Sequence, residues 1–406
     1  MNIDTAVLVI PGARNDAGFE SRWYAAEVAG LPLLVRTLFL LQSRHILRVH
    51  ILASESELPE LTVLLSRWKT DRRLPRVETQ APEGPDTGAL PPLYLLIDGA
   101  RVIHPMLIDF AREQRTRAAL ATEEGGPAGI GVLSGEERPS LSTLCVLPQI
   151  LAPKGLFSRP ARNRTERHDV EGLVFRSLRR ETDGWVASRL NRPVSLFLSR
   201  RLIRIPLHPN GFTLVTFLVG LGSGALAARG SPLSMAAAGV LYQLASVLDG
   251  VDGEVARAKF LTSRAGGWLD TICDEATNLA FLIGVIIGIR RMHYPGILLS
   301  LGTAALALYI LTLLLLYGQL VFRLRSSSLL AFQEEIGRPE FRGRKMARFV
   351  LFLQPLIKRD LYAFLFMVLC LAGFPGLIVV LWLVAVALTP VLYAAVVHRF
   401  LRSPLS

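Results

Sequence analysis

Residues 5–10 (TAVLVI) are apolar throughout and run into Pro-Gly, which predicts a buried strand closed by a turn. Residues 30–43 (GLPLLVRTLFLLQS) place apolar side chains at helical intervals, and RVHILAS at 48–54 returns to strand character. After an internal loop, EGPDTGALPP at 83–92, LYLLID at 93–98 forms another apolar strand ending at Asp98. Strands alternating with helices predict an α/β layer on a mostly parallel sheet. Beyond residue 206 the pattern changes. Apolar runs of membrane-spanning length recur at about 210–229, 231–249, 266–289, 295–321, 360–374 and 376–397, which predicts six transmembrane helices. Between the two patterns, 152–183 is polar and basic, the best place for a domain junction. VASRLNRPVSLFLSRRLIRIP at 186–206 mixes apolar residues with Arg189, Arg192, Arg200, Arg201 and Arg204, as expected of a helix lying in the membrane interface. The expected organisation is an α/β domain at 1–150, a linker at 151–185, an interfacial amphipathic helix at 186–205 and an all-α six-helix transmembrane domain at 206–400.

Charge adds an orientation. The 406-residue chain carries a formal charge of +12, which would suit nucleic acid, but no nucleic-acid motif accompanies it. A basic membrane protein uses such charge for topology and anionic lipid. The first 30 residues include Asp4, Arg14, Asp16, Glu20, Arg22 and Glu27, so no signal-peptide core is expected and the front domain should remain cytosolic. The segments 250–265 and 322–359 are rich in Arg and Lys, whereas the opposite side has only Arg229, Arg290 and Arg291. This asymmetry predicts a multi-pass protein of the inner (cytoplasmic) membrane with both termini cytosolic. Cys145, Cys273 and Cys370 are scattered, which argues against a disulfide framework or a cysteine zinc site.

Four aspartates contradict their apolar surroundings. Asp249 and Asp252 lie at the end of the second span, and Asp270 and Asp274 near the start of the third. Spacings of three and four put each pair on one helical face. A helical hairpin would bring the two pairs together at the cytosolic side. Carboxylates so crowded repel unless a cation neutralises them, and oxygen-only donors select a hard ion such as Mg²⁺. Two ions would clamp a pyrophosphate, with Mn²⁺ an admissible substitute. Gly250, Gly253, Ala256, Gly266 and Gly267 leave room for close helix approach and a ligand, and Arg257 could meet a phosphate. Structural ion pairs or the ion path of a cation transporter are the rival readings, although a transporter would place its carboxylates nearer mid-membrane.

The run Asp249-x-x-Asp252-Gly253-x-x-Ala256-Arg257, eight residues, Gly266-x-x-x-Asp270-x-x-x-Asp274 closely resembles the signature of the CDP-alcohol phosphotransferases. The resemblance implies that Asp249, Asp252 and Asp270 bind metal. Asp274 would bind it as well, or deprotonate the acceptor hydroxyl as the catalytic base. Gly253, Ala256, Arg257 and Gly266 would line the CDP pocket. Upstream, HPNGFTLVTF resembles the first span of the same family, which would put Pro209, Asn210 and Thr213 near the cytidine. The implied reaction displaces CMP from a CDP-alcohol by an acceptor hydroxyl. An inactive scaffold is the further alternative, disfavoured by an intact signature.

The front segment AVLVIPGARN with VAGLPLLVRTLFLLQSRHILRVHILAS resembles the sugar nucleotidyltransferases, which implies a Rossmann-like fold. It departs from them in its phosphate loop, PGARNDAGFESRW, where Arg14 alone is well placed, and in lacking a lysine before Leu31-Pro32. The departures point to a degenerate domain. Asp98 matches the position of a metal-binding aspartate in that family. The fusion of the two parts resembles the bifunctional enzymes of inositol-phosphodiester synthesis. It leaves CDP-inositol and CDP-diacylglycerol open as donors and makes inositol phosphate a candidate acceptor. Arg323, Arg325, Lys358 and Arg359, at the two lips of the second cytosolic segment, are candidates to hold that acceptor's phosphate. The lipid bilayer is an expected partner, a second copy of the chain is an admissible one, and nucleic acid is not expected.

Overall fold

The computed structural model describes residues 3–12, 18–81, 90–179, 184, 186–319 and 359–400, with side chains at 316–319 and 389–400 left aside. The chain divides into two compact units. One takes Met1–Leu178 with Arg257–Phe260, the other Arg179–Ala256 with Leu261–Ser406.

The first unit is built on a seven-stranded sheet. In chain order its strands are β1 (Thr5–Val9), β4 (Arg48–Leu52), β5 (Arg76–Gln80), β6 (Leu93–Asp98), β8 (Ala118–Ala121), β9 (Pro127–Ser134) and β10 (Gln149–Leu151). The short pairs β2 (Glu27–Val28) with β3 (Leu31–Pro32), and β7 (Arg101–Ile103) with β11 (Ser158–Pro160), lie outside it. The order across the sheet is β10-β8-β9-β6-β1-β4-β5, and only β9 runs antiparallel to its neighbours. The expected α/β layer is therefore present. β1, β4 and β6 coincide with the predicted strands, and α1 (Leu33–Ser43) with the predicted helix. Val7, Leu52, Tyr94, Leu96, Ala119 and Leu133 fill part of its core. Three further helices are α2 (Leu58–Ser66), α3 (Pro105–Glu113) and the single turn α4 (Thr143–Val146).

The expected linker is folded over most of its length. β11 pairs with β7, and α5 (Arg164–Ser177) begins at Asn163, whose side chain caps it by accepting from Glu166 N. α5 buries only Val170, Val174 and Phe175, a stripe too narrow to stand out among its charged neighbours. The first unit accordingly runs to Leu178, not 150.

The second unit is helical. A π-helical turn at Ala187–Asn191 leads into α6 (Arg192–Leu202), the predicted amphipathic helix. It exposes Val194 and Phe197, and Arg201 lies 3.8 Å over the Phe197 ring. Among the described residues six helices follow: α7 (Pro209–Ala228), α8 (Pro232–Ala258), α9 (Arg264–Arg291), α10 (Gly296–Gln319), α11 (Arg359–Leu371) and α12 (Gly376–Phe400). Among the described residues four of these are long and apolar enough to cross a membrane, at Pro209–Ala228, Pro232–Ala258, Arg264–Arg291 and Gly296–Leu315. The unit is thus a multi-pass membrane domain. One boundary differs from expectation. The segment 250–265 is mostly helix, because α8 continues through Ala258 and α9 starts at Arg264. Hydropathy falls at Asp249 because polar chemistry begins there; the helix goes on.

Two devices hold the bundle. Tyr242 stacks on Phe281 at 4.0 Å between ring centres, and Phe366 stacks on Trp382 at 5.3 Å. α7 and α9 touch backbone to backbone. A Cβ on Gly284 would lie 2.2 Å from the Gly224 carbonyl oxygen, so both positions require glycine. Small residues supply this close approach in lipid, where apolar side chains gain nothing by leaving the bilayer.

Candidate active site

α8 carries Asp249 and Asp252, and the first turns of α9 carry Asp270 and Asp274. α9 starts where it does because the Ser263 hydroxyl accepts from Gly266 N at 3.0 Å, an N-cap that satisfies one orphan donor. One carboxylate oxygen each from Asp249, Asp270 and Asp274 lies within 4.8 Å of the others. All three residues are half-buried. Such a set of hard oxygen donors from two helices fits a divalent cation.

The fourth aspartate is placed differently. Asp252 Oδ2 accepts from the Thr213 hydroxyl at 2.5 Å, and Asp252 is buried. Three of the four predicted carboxylates therefore converge, while the fourth faces α7. A spacing of three leaves about 60° between Asp249 and Asp252 around the helix, enough for different neighbours to capture them.

A cation is already built into the cluster. Arg359, the first residue of α11, donates through Nη1 to Asp249 Oδ1 at 3.4 Å and to Asp274 Oδ1. Its side chain is 13% exposed, and its Nε and Nη2 are buried without a hydrogen-bond partner among the described residues. The sequence placed Arg359 at a lip of the acceptor site; the structure sets it on two of the aspartates. Arg323, Arg325 and Lys358 lie outside the described residues.

The predicted cytidine side is partly assembled. Thr213 sits one turn into α7, and Asn210, its second residue, donates its N–H to Nδ1 of the N-cap His208 at 3.3 Å. A Cβ at Gly266 would lie 3.2 Å from Asn210 Oδ1, which brings these two predicted residues side by side. Gly253 and Ala256 lie on α8, half-buried, and Arg257 belongs to the short segment grouped with the first unit.

Sequence reasoning passed over two acids. Glu254 is fully buried and engaged by α6. Glu275, next to Asp274, accepts from the Tyr309 hydroxyl, which in turn accepts from Asn278 Nδ2 at 3.1 Å; Asn278 Oδ1 accepts from the Tyr242 hydroxyl at 2.7 Å. For Glu275, a carboxylate within the third span was the available signal.

In the first unit, Asp98 ends β6 beside Val9 of β1, and its Oδ1 accepts from Ala100 N at 2.9 Å. Burial pushes this carboxyl above the usual range, opposed by the Ala100 N–H and the charges of Arg101 and Arg162. Arg14 and the rest of the loop core at 13–17 lie outside the described residues.

Residues 206–391 match the profile of the CDP-alcohol phosphatidyltransferase family. A "Bifunctional IPC transferase and DIPP synthase" of Archaeoglobus fulgidus is 31% identical over 211 residues, 52% of this chain and 37% of that protein. The protein of the same name from Thermococcus kodakarensis is 38% identical over 134 residues, 32% of this chain and 30% of that one. The chain thus spans about a third of the length of these curated relatives. Among solved structures, HddC from Yersinia pseudotuberculosis aligns with 42% of this chain and 99% of its own, at 11% identity and a TM-score of 0.31. The match takes in both aspartate pairs and the helices that present them, so residues 206–391 are similar to the membrane domains of the CDP-alcohol phosphatidyltransferase family.

Proposed function

We propose that the protein transfers the phosphoalcohol group of a CDP-alcohol to an acceptor hydroxyl, releasing CMP, with the chemistry on the cytosolic side of the inner membrane. The observation that carries this reading is the convergence of Asp249, Asp270 and Asp274 within 4.8 Å, inside a complete family signature. These three would hold Mg²⁺, which when bound would neutralise the donor pyrophosphate and ease departure of CMP. Asp252, by way of the Thr213 hydroxyl, keeps α7 against α8 beside that site. Asn210 and Gly266 line the cytidine side, where the missing side chain leaves backbone open to a ligand. Arg359 holds the cluster's charge in balance, and its Nε and Nη2, buried without a partner among the described residues, would serve as donors to an anionic substrate. Asp274 takes the proton of the incoming hydroxyl as its oxygen bonds to phosphorus and the bond to CMP breaks, the electron pair leaving with CMP. The front unit lies in the cytosol, and α6 rests in the interface with Val194 and Phe197 toward lipid.

The relatives' names support inositol phosphate as the acceptor, and CDP-inositol is the donor we propose over CDP-diacylglycerol. The deciding experiment offers the detergent-purified full chain CDP-inositol or CDP-diacylglycerol, with inositol phosphate as acceptor, and measures CMP release against added Mg²⁺. Metal-dependent release from CDP-inositol is expected. No release from either donor would refute the activity, and release from CDP-diacylglycerol alone would replace the substrate.

A further inference from the structure

α8 presents a second polar stripe besides its aspartates. Gln243, Ser246, Gly250 and Glu254 follow one another at intervals of three, four and four, which puts them on one face. Asn191, Ser195 and Ser199, at intervals of four, form the matching stripe on the segment Ala187–Leu202. The two stripes interlock. Gln243 Nε2 donates to Asn191 Oδ1 at 2.8 Å, and Asn191 Nδ2 donates to Ser246 Oγ at 3.4 Å. At Gly250 the absent side chain admits α6: a Cβ there would lie 3.1 Å from both Arg192 Nη1 and Ser195 Oγ. Glu254 closes the row. Its Oε1 accepts from Arg192 Nη1 at 3.0 Å and from Ser195 Oγ at 2.7 Å, and its Oε2 accepts from Ser199 Oγ at 2.7 Å.

The Glu254 side chain is 0% exposed and that of Arg192 13%. An ionised carboxylate is expensive to bury, so three donors converging on it mark a fixed geometry. A helix that only rested in the membrane interface would turn its apolar groups to lipid and keep its polar groups in water. α6 turns Val194 and Phe197 outward but buries Ser195 and Ser199 against α8 instead of leaving them in water.

The contact also reaches the active site from its other end. Asn191 Nδ2 donates to Asp360 Oδ1 at 3.1 Å. The neighbouring Arg359 holds Asp249 and Asp274. One segment therefore grips both α8, which bears Asp249 and Asp252, and the start of α11, which bears the arginine that balances them.

We propose that Ala187–Leu202 is a polar brace that fixes the rotation of α8 and the position of Arg359, with Glu254 as a positioning residue for the carboxylate cluster. This rests on the metal-holding reading of that cluster. Buried groups that orient metal ligands change affinity when removed, although they never touch the ion.

The test uses the full chain in detergent and Mn²⁺ as the probe, with free ion read by electron paramagnetic resonance. Glu254→Ala should weaken Mn²⁺ binding about tenfold, with Glu254→Gln in between because it keeps one acceptor oxygen. The milder pair Ser195→Ala with Ser199→Ala retains the Arg192 ion pair and should weaken binding by about threefold, guarding against a variant that fails to fold. In parallel, amide exchange in 189–200 and 246–256 should rise in each variant while α9 and α10 keep their protection. Unchanged Mn²⁺ affinity in a folded Glu254→Ala protein would overturn the proposal. If the unsubstituted protein binds no Mn²⁺, the metal reading fails, and the exchange data alone decide whether the brace exists: unaltered exchange in both segments rejects it.

Discussion

The two units bury opposite kinds of residue. In the first, the buried set is overwhelmingly apolar, and its buried polar members among the described residues are Thr5, Arg36, Thr37 and Ser158. In the second, Thr213, Thr216, Ser223, Gln243, Ser246, Asp252, Glu254, Thr277 and Asn278 are buried while Leu214, Leu218, Leu314 and Val384 are exposed. Each arrangement follows from its solvent. Water drives apolar groups inward. Lipid offers no such drive and penalises unpaired polar groups, so close packing and interior hydrogen bonds hold the helices together. The lesson concerns function. In the first unit a charge is mostly a surface matter, whereas in the second the charged groups are the organised interior.

Matched substitutions put that contrast under strain. Asp270→Asn removes one of three converging carboxylates and should cut CMP release by about a thousandfold, since metal stabilisation of transferring phosphate is worth several kcal/mol. Asp109→Asn, in a bridge of the first unit where both partners are more than a third exposed, should leave the rate unchanged. Near-normal turnover in the Asp270 variant would remove the site assignment.

Arginine provides the next pair. Arg359→Ala strips the counter-charge from Asp249 and Asp274 and should lower kcat by about a hundredfold while raising the acceptor KM. Arg44→Ala breaks only the exposed bridge to Asp109 and should cost less than about 1 kcal/mol of stability. An Arg359 variant that altered donor KM alone would move this residue to the nucleotide side.

Packing gives a smaller effect. Gly284→Val places side-chain atoms against the Gly224 backbone and should destabilise the bundle by about 1–3 kcal/mol, read as a lower melting temperature in detergent. Leu218→Ala, exposed on α7, should change it little. Equal losses from both would mean that lipid-facing contacts matter as much as helix contacts.

What the sequence made legible follows the same division. The long apolar runs and the aspartate spacing marked six helices and four carboxylates, three of which converge, because membrane length and helical period are strong signals. The end of α8 was missed because the drop in hydropathy at Asp249 predicts the end of the apolar span, although Asp249 through Ala258 remain helical. β11 and α5 were missed because three-residue strands and a three-residue apolar stripe carry almost no pattern. Glu254 was passed over because only tertiary structure reveals that α6 supplies its three donors. The direction of Asp252 is likewise set by a partner, Thr213, that lies 39 residues away.

The smallest expected effect tests whether the first unit holds a site of its own. Asp98 is buried at the end of β6, and its carboxyl is shifted upward chiefly by burial. The sign follows from proton binding. The folded unit holds the Asp98 proton to a higher pH than the unfolded chain, so its stability falls as pH rises from the ordinary carboxylate value to the raised one. Ionisation of Asp98 therefore opposes folding. Asp98→Asn keeps an oxygen for the Ala100 N–H and removes the charge. In the full chain, amide exchange over 93–103, corrected for its intrinsic pH dependence, should slow at pH 7, with roughly 1 kcal/mol of added protection, and the gain should shrink toward pH 4. Mg²⁺ with CTP should leave the unsubstituted protein's exchange unchanged if the front unit is degenerate. Protection by Mg²⁺ with CTP that disappears in Asp98→Asn would instead make this aspartate a metal ligand and the front unit a working nucleotidyltransferase.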